Sequence, residues 1–232
     1  MVLLFSCVSE NKKDQTRKAQ NSNPAPIFNS DSAYVFVEKQ VLFGPRVIST
    51  KAWDECSKYL SEKLESYNAT VKIQTAPVTT YDGKNHTLRN IIASFDPEKN
   101  NRVALFAHWD SRHIADHDTI DTDMPILGAN DGGSGVGVLL EIARNINLRK
   151  PKIGIDIIFF DAFSPEKQPD LWDIEIFNKM FQLIEKNGFL VTYCAKGIVK
   201  RTIKNAGFKV IALDGPPGKR QMTRADKLII RK

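Results

Sequence analysis

The most restrictive feature of this sequence is a nearly continuous apolar run at residues 153–160. Such a run is typical of a central strand in a sheet that is covered on both faces. Strand-like and helix-like segments alternate along much of the remaining chain, which favours an α/β sheet. We therefore predict an α/β fold of three layers with a mostly parallel central sheet.

Shorter patterns predict the other elements. Apolar residues recur every three or four positions in residues 53–67, which is the periodicity of an amphipathic helix. Asp82 and Gly83 form a turn signal between two strand-like runs. The predicted elements are a helix at 53–67, strands at 71–80, 88–95, 103–107 and 153–160, a helix ending near Asn147, a helix at 173–186, a strand at 189–194, a helix at 197–205 and a strand at 208–213.

The start of the chain has the composition of an export signal. Residues 2–6 are mostly apolar, Cys7 follows, and the polar residues 10–30 predict a disordered tether. This order is similar to the lipid-attachment box of a bacterial lipoprotein, although its apolar part is short for a signal peptide. It predicts lipid attachment at Cys7, membrane contact only through that anchor, and a place in the cell envelope or periplasm. Without a genuine signal, the chain is expected in the cytoplasm.

Charge is distributed unevenly along the chain. Residues 1–160 contain 19 Lys and Arg against 19 Asp and Glu, whereas residues 161–232 contain 14 against 8. The whole net charge of +6 therefore belongs to the last third. A basic surface attracts phosphate or nucleic acid, but a solvated lysine-rich face is the commoner explanation of charge alone.

Polar side chains follow the predicted strand at 103–107. His108 and Asp110 come directly after it, and Asp131 stands at the entry to a glycine-rich helix start. Open α/β sheets place their sites at the carboxyl ends of strands, and zinc binds nitrogen and oxygen donors of these types. Taken one at a time, His108 is more simply a surface histidine and Asp131 a helix cap.

Context favours the functional interpretation. Four segments, in order and with plausible spacing, resemble bacterial glutaminyl-peptide cyclotransferases, which belong to the superfamily of zinc aminopeptidases. The resemblance covers roughly residues 34–162. It implies a peptide substrate, either an N-terminal glutamine or another peptide. The segments are residues 43–46, 108–112, 115–118 and 125–135.

The same resemblance implies roles for individual residues. Asp131 matches a zinc ligand, and His108 and Asp110 match a His-x-Asp pair that serves a metal in the aminopeptidase relatives. We take His108 and Asp131 as candidate metal ligands and Asp110 as a candidate catalytic residue. In such enzymes the metal polarises the glutamine γ-carbonyl while a carboxylate moves a proton.

The sequence departs from this family after the strand at 153–160. The family pattern has an acidic pair just beyond that strand, where this chain has Phe163 and Ser164. It also lacks the later histidine ligand, because His86, His113 and His117 all come earlier in the chain. Zinc binding is therefore expected to be weak or lost.

A second set of segments has a different likeness. Residues 161–172, 190–197 and 215–222 resemble the C-terminal half of the tRNA methyltransferases that complete 5-methylaminomethyl-2-thiouridine, with a match running to about residue 227. The resemblance implies tRNA as a partner and S-adenosylmethionine as the methyl donor. It places Asp161 beside the donor and the incoming amine as a catalytic residue. It also places Lys219, Arg220 and Arg224 on the side that faces tRNA phosphate.

The half of the methyltransferase fold that binds the donor is absent. That site requires a strand followed by a glycine-rich turn. Residues 133–137 imitate such a turn, but they follow a loop, and the cyclotransferase resemblance already explains them. Taken one at a time, these segments have simpler explanations. Residues 161–165 would be an ordinary turn from a strand into a loop, and Lys219 and Arg220 would be the solvated tip of a loop.

The two resemblances meet at residues 160–162, where both families have a hydrophobic strand ending in aspartate and alanine. Recombination within a short shared coding stretch, or an error joining two genes, would produce such a junction. We expect the 153–160 strand to pair in parallel with the 189–194 strand through a right-handed crossover. The predicted domains are a truncated signal and tether at 1–30, a partial cyclotransferase-like domain at 31–162 and a methyltransferase-like part at 163–232.

Three functions follow from these observations. The first is a zinc-dependent cyclotransferase or aminopeptidase relative with an incomplete site. The second is a relative of the tRNA wobble-uridine methyltransferases. The third is an inactive fusion or binding remnant.

Overall fold

A computed structural model describes residues 3–6, 24–80, 82–115, 118–160, 165 and 168–228. These residues form eight strands and five α-helices. The strands are β1 (Leu3–Ser6), β2 (Thr70–Thr79), β3 (Asn85–Phe95), β4 (Arg102–Ala107), β5 (Gly154–Phe159), β6 (Phe189–Thr192), β7 (Lys209–Asp214) and β8 (Gln221–Asp226). The helices are α1 (Ser30–Leu42), α2 (Lys51–Ser66), α3 (Ser134–Leu148), α4 (Ile174–Leu183) and α5 (Gly197–Asn205).

All eight strands form one sheet in the order β2-β3-β5-β4-β1-β6-β8-β7. The α/β class predicted from the sequence is confirmed. The expectation of a mostly parallel sheet is wrong, because among the described strands only β4 and β5 pair in parallel. The predicted β5–β6 pairing is also wrong, since β4 and β1 lie between those two strands.

The first half of the sheet, β2 to β5, has its own core. Alternate residues of its central strands point to one face, so that Ile91 lies opposite Phe159 and Ala93 opposite Ile157. Apolar side chains of α1, α2 and α3, such as Leu60, pack against this face. This core holds the end of β4 in place.

The second half of the sheet, β6 to β8, is covered by α4 and α5. Their core contains Phe177, Ile203, Leu190 and Ala225. Register places Leu190 on the same face as Ala104, because both lie opposite the same β1 residue. Ala104 alternates with Leu105, which belongs to the first core, so the two cores lie on opposite faces. Each half is thus covered on one face by its own helices, and a three-layer arrangement across the whole sheet stays a prediction.

The halves meet at β1, which pairs antiparallel with β4 on one side and with β6 on the other. Phe106 of β4 also packs against the second core. The segment expected to belong to an export signal therefore lies in the sheet, while Cys7 is outside the described residues. In the part of the chain that the structure describes, no helix is both long enough and apolar enough to cross a membrane.

Helices α1 and α3 are joined by a buried carboxylate. Glu141 of α3 is fully buried and accepts hydrogen bonds from the backbone N–H of Asn29, from Arg144 and from the side-chain amide of Asn145. A Cβ at Gly137 would lie 2.7 Å from the carbonyl oxygen of Ala33, so the two helices approach closely where α3 has glycine.

This carboxylate should make stability sensitive to acid. The hydrogen bonds from Arg144 hold the pKa of Glu141 below its ordinary value of 4.5, against the opposing effect of burial. A group with a depressed pKa stabilises the fold above its unfolded value, and the stabilisation is lost as pH falls through the folded value. We expect the free energy of unfolding, measured by urea titration, to fall below about pH 4.5 less steeply in Glu141→Gln than in the unchanged chain. Equal slopes in the two proteins would contradict this assignment.

Candidate functional site

The end of β4 sends neighbouring side chains to opposite sides. Trp109 is fully buried, stacks on Trp53 with ring centroids 5.3 Å apart, and donates its indole N–H to the carbonyl oxygen of Arg89. His108 and Asp110 flank this anchor and face each other, with 3.1 Å between His108 Nδ1 and Asp110 Oδ1. The buried indole therefore fixes the segment that carries the two polar residues.

An irregular turn at Ala129–Gly133 brings the third residue to the site. Asp131 and Gly132 have non-helical backbone angles, and φ of Gly132 is +95°. A Cβ at Gly132 would lie 2.9 Å from the carbonyl oxygen of Asp110 and 3.0 Å from the ring of His108. Glycine at this position lets the turn approach the end of β4.

The result is a histidine held between two carboxylates. His108 Nε2 lies 3.1 Å from Asp131 Oδ1, and its other ring nitrogen contacts Asp110. Arg112 Nε is 3.6 Å from Asp131 Oδ2. Both ring nitrogens of a histidine donate hydrogen bonds only when the ring is protonated. The arrangement is therefore an ion cluster of two carboxylates, an imidazolium and a guanidinium.

The pKa values agree with this geometry. Burial lowers the pKa of His108, but hydrogen bonds to Asp110 and Asp131 outweigh it and raise the pKa to about 9. The hydrogen bond from His108 lowers the pKa of Asp131, with a further contribution from the charge of Arg112. The side chains of Asp131 and Arg112 are 54% and 40% exposed, so these two members of the cluster are the ones that solvent and ligands can reach.

Arg46 is a site residue whose role the sequence did not reveal. It is fully buried and donates hydrogen bonds to the carbonyl oxygens of Trp109, Leu127 and Gly128 at 2.8–2.9 Å. Its own carbonyl oxygen accepts the N–H of Ser111. The guanidinium thus connects the end of β4 to the loop that leads to Asp131. Its position in the 43–46 segment was noticed only as part of a family resemblance.

The cluster does not have the form of a zinc site. The described residues contain no group of three or more His, Cys, Asp or Glu side chains arranged to hold a metal ion. His108 and Asp131 supply donor types that zinc binds, and a metal would have to displace the proton that His108 shares with its two carboxylates. The expectation that both residues are metal ligands stays a prediction. Asp161, the other candidate catalytic residue, lies outside the described residues.

The basic residues predicted to face RNA lie in the second half of the chain. Lys219 Nζ is 3.8 Å from the ring centroid of Tyr193. The guanidinium of Arg224 lies 4.2 Å from the ring centroid of Phe189 and forms an ion pair with Asp226. Arg220 is exposed, next to Lys219 in the connection between β7 and β8. The structure thus places two of these cations on aromatic rings of β6 or directly after it, which sequence reasoning did not foresee.

Two protein families match different parts of the chain. The family described as peptidase family M28 matches residues 90–162, and the family described as S-adenosyl-L-methionine-dependent methyltransferase matches residues 134–228. The matched ranges overlap from residue 134 to residue 162. The overlap contains α3 and β5, and it ends at the junction that the sequence indicated.

Solved structures resemble the first part. The glutaminyl cyclase of Tannerella forsythia is 55% identical, with a TM-score of 0.58, over 59% of this chain and 48% of its own. A Zn-dependent exopeptidase from Parabacteroides distasonis is 47% identical, with a TM-score of 0.60, over 65% of this chain and 57% of its own. The chain thus covers only about half of each of these structures.

Curated relatives resemble a shorter stretch. The tRNA 5-methylaminomethyl-2-thiouridine biosynthesis bifunctional protein MnmC of Burkholderia multivorans is 37% identical over 67 residues, which are 29% of this chain and 10% of that protein. The MnmC protein of Campylobacter hominis is 38% identical over 78 residues, or 34% and 12% respectively. The chain therefore joins a part similar to glutaminyl cyclases and M28 peptidases to a part similar to tRNA-modifying methyltransferases.

Proposed function

We propose that the first part is a zinc-dependent glutaminyl-peptide cyclotransferase or aminopeptidase relative whose active site is incomplete. The observation that carries the proposal is the convergence of His108, Asp110 and Asp131 at the end of β4, in a region similar to solved glutaminyl cyclases. An open cavity of about 360 Å³ is lined by Arg112, Ala115, Asp118, Thr119 and Ile126, and it borders the cluster only through Arg112. Asp131, exposed and ionised, would attract the ammonium group of a peptide N-terminus.

Catalysis needs more than these residues provide. The reaction requires a carboxylate that removes a proton from the attacking amine, and a group that polarises the carbonyl. Phe163 and Ser164 stand where the acidic pair is expected, and His108 is engaged by two carboxylates. The first part would therefore bind peptides without turning them over.

We expect the purified chain not to cyclise a peptide with N-terminal glutamine, with or without added zinc. Replacing Phe163 by Glu and Ser164 by Asp should not restore turnover, because the later histidine ligand is also missing. Release of ammonia from the glutamine amide is the measurement. Turnover that a zinc chelator abolishes would show that the site is complete and would refute the proposal.

A second candidate function is favoured by charge. Residues 186–228 contain ten Lys and Arg but only two Asp and no Glu. We infer that this part binds RNA, with tRNA as the partner suggested by the MnmC resemblance and Lys219, Arg220 and Arg224 as phosphate contacts. Transfer of a methyl group from S-adenosylmethionine to an amine oriented by Asp161 is not expected, because we assign no strand followed by a glycine-rich turn to the donor site.

We expect RNA binding by the chain to be weak and to fall steeply as salt rises. Each phosphate contact releases counterions, so the logarithm of affinity decreases linearly with the logarithm of salt concentration. Filter binding of tRNA across a salt series measures the slope. Retention of tRNA at high salt, or transfer of a labelled methyl group, would contradict the expectation.

The third candidate is an inactive fusion or remnant, which would bind neither peptides nor RNA.

Lipid attachment at Cys7 and a place in the cell envelope belong with the first proposal. A cytoplasmic location belongs with the RNA-binding candidate. Mass spectrometry of the mature chain from cells would decide whether Cys7 carries a lipid.

A further inference from the structure

The second half of the sheet has a face that its helices do not cover. Strands β6, β8 and β7 pair antiparallel, and register places Val191, Arg224 and Ile211 side by side on this face. The opposite face carries Leu190 and Ala225, which pack into the core with α4 and α5. Side chains on the free face are half-buried or exposed and belong to neither hydrophobic core of the described residues. We call this face the β6 platform; its members are Phe189, Val191, Tyr193, Ile211, Leu213, Met222 and Arg224.

Two aromatic rings on the platform are each paired with a cation. Phe189 begins β6, and Tyr193, four positions later, directly follows that strand. The guanidinium of Arg224 lies over the first ring at 4.2 Å and the ammonium of Lys219 over the second at 3.8 Å. Tyr193 is 43% exposed. Each ring thus has a positively charged group over its face.

Residues 186–228 carry many more cations than anions, although Lys200, Arg201 and Lys204 belong to α5, which covers the opposite face. Of the two acidic residues between residues 186 and 228, Asp226 pairs with Arg224 and orients its guanidinium on the ring. The other, Asp214, lies at the end of β7. Such an excess of cations over anions favours a polyanionic ligand.

We propose that the β6 platform binds unpaired nucleotides of RNA. Bases would stack on Tyr193 and on the guanidinium of Arg224, and Lys219 would leave its ring to contact phosphate. Recognition of single-stranded RNA commonly uses aromatic side chains and arginine planes on an open sheet, because unpaired bases expose faces that a duplex hides. The proposal rests on the RNA-binding candidate above and adds which residues read the RNA and in which form.

A membrane surface fits the platform less well. Binding to anionic lipid requires exposed apolar side chains that insert among acyl chains, whereas Val191, Ile211, Leu213 and Met222 are half-buried and both platform rings lie under cations. Stacking is also sequence-tolerant, which suits a surface without a deep pocket. Single-stranded DNA shares the base and phosphate chemistry, and comparison with it tells whether the ribose matters.

The test measures fluorescence anisotropy of the full chain with a single-stranded RNA, the same RNA annealed to its complement, single-stranded DNA of the same sequence and anionic vesicles. We expect Tyr193→Leu to weaken binding of the single strand by about tenfold, since the ring is lost while apolar volume is kept. Duplex binding should change little. The matched control is Lys204→Ala, which removes an exposed charge from α5 on the opposite face and should reduce single-strand and duplex binding by the same small factor.

Several outcomes would overturn the proposal. Equal affinity for single strand and duplex, or unchanged binding in Tyr193→Leu, would refute the β6 platform as the binding surface. Such a result would still be compatible with RNA binding elsewhere in the second part. Absence of binding to any nucleic acid would remove both, and capture by anionic vesicles alone would identify a membrane surface. A second variant, Phe189→Leu, should also weaken binding of the single strand. Because Phe189 is partly buried, this variant is compared only if circular dichroism shows that it folds. If it does not fold, the result for the exposed Tyr193 decides the test.

Discussion

Replacing Arg46 with alanine is expected to lower the free energy of unfolding by about 3–5 kcal/mol. The side chain is fully buried and satisfies three backbone carbonyls, those of Trp109, Leu127 and Gly128. Alanine would remove the Arg46 donor from the carbonyl oxygens of Trp109 and Leu127, leave that of Gly128 with only the N–H of Gly133, and create a cavity. Urea unfolding monitored by circular dichroism measures the loss.

The matched control for Arg46→Ala is Lys51→Ala, which also removes one positive charge from the first half of the chain. Lys51 is exposed and forms an ion pair with Glu55 one turn along α2. Its replacement should change stability by less than about 0.5 kcal/mol. A loss below about 1 kcal/mol in Arg46→Ala would mean that water replaces the guanidinium and that Arg46 does not organise the site.

Replacing Leu190 with alanine is expected to cost about 2–5 kcal/mol, because it removes a fully buried side chain from the second core. The effect should be local. The second core lies on the face of the sheet opposite the first, and of the pairings between described strands only those of β1 connect the two halves. Unfolding of β6, β7 and β8 should therefore become easier while β3, β4 and β5 remain protected.

Leu139→Ala is the mirror-image control for Leu190→Ala. It makes the same chemical change in α3, where Leu139 is buried in the first core. It should destabilise the first half of the sheet by a similar amount. If each of the two substitutions lowered amide protection equally in both halves, the two cores would act as one cooperative unit.

The sequence predicted elements well where the periodicity was strong. Helix α5 was expected at 197–205 and is observed at Gly197–Asn205, and β5 was expected at 153–160 and is observed at Gly154–Phe159. Helix α1 was missed, since its first turn follows a long polar stretch and its exposed face carries Tyr34 and Val35. Strand β8 was not predicted, because the charged Arg224 and Asp226 alternate with its buried residues Thr223 and Ala225.

Strand order could not be read from local patterns. The prediction of parallel pairing assumed that successive strands of an α/β chain lie side by side. Instead β1 pairs with both β4 and β6, and such a contact between the start of the chain and its distant parts leaves no local trace. The meeting of His108, Asp110 and Asp131 was predictable, because it depends on a strand end and a glycine turn. The cation–ring contacts of the β6 platform were not, because they depend on the pairing of β6 with β8.

We propose that this chain consists of two parts whose cores were shaped separately. Close packing tolerates mismatched volumes poorly, so the contact between parts of different origin should be weaker than either core. Native-state hydrogen exchange with mass spectrometry tests this directly. We expect amides of β6, β7, β8 and α5 to exchange faster than those of β3, β4 and β5, and to lose protection at lower denaturant. Equal protection in both regions, lost in a single cooperative transition, would contradict the claim and show that the chain folds as one domain.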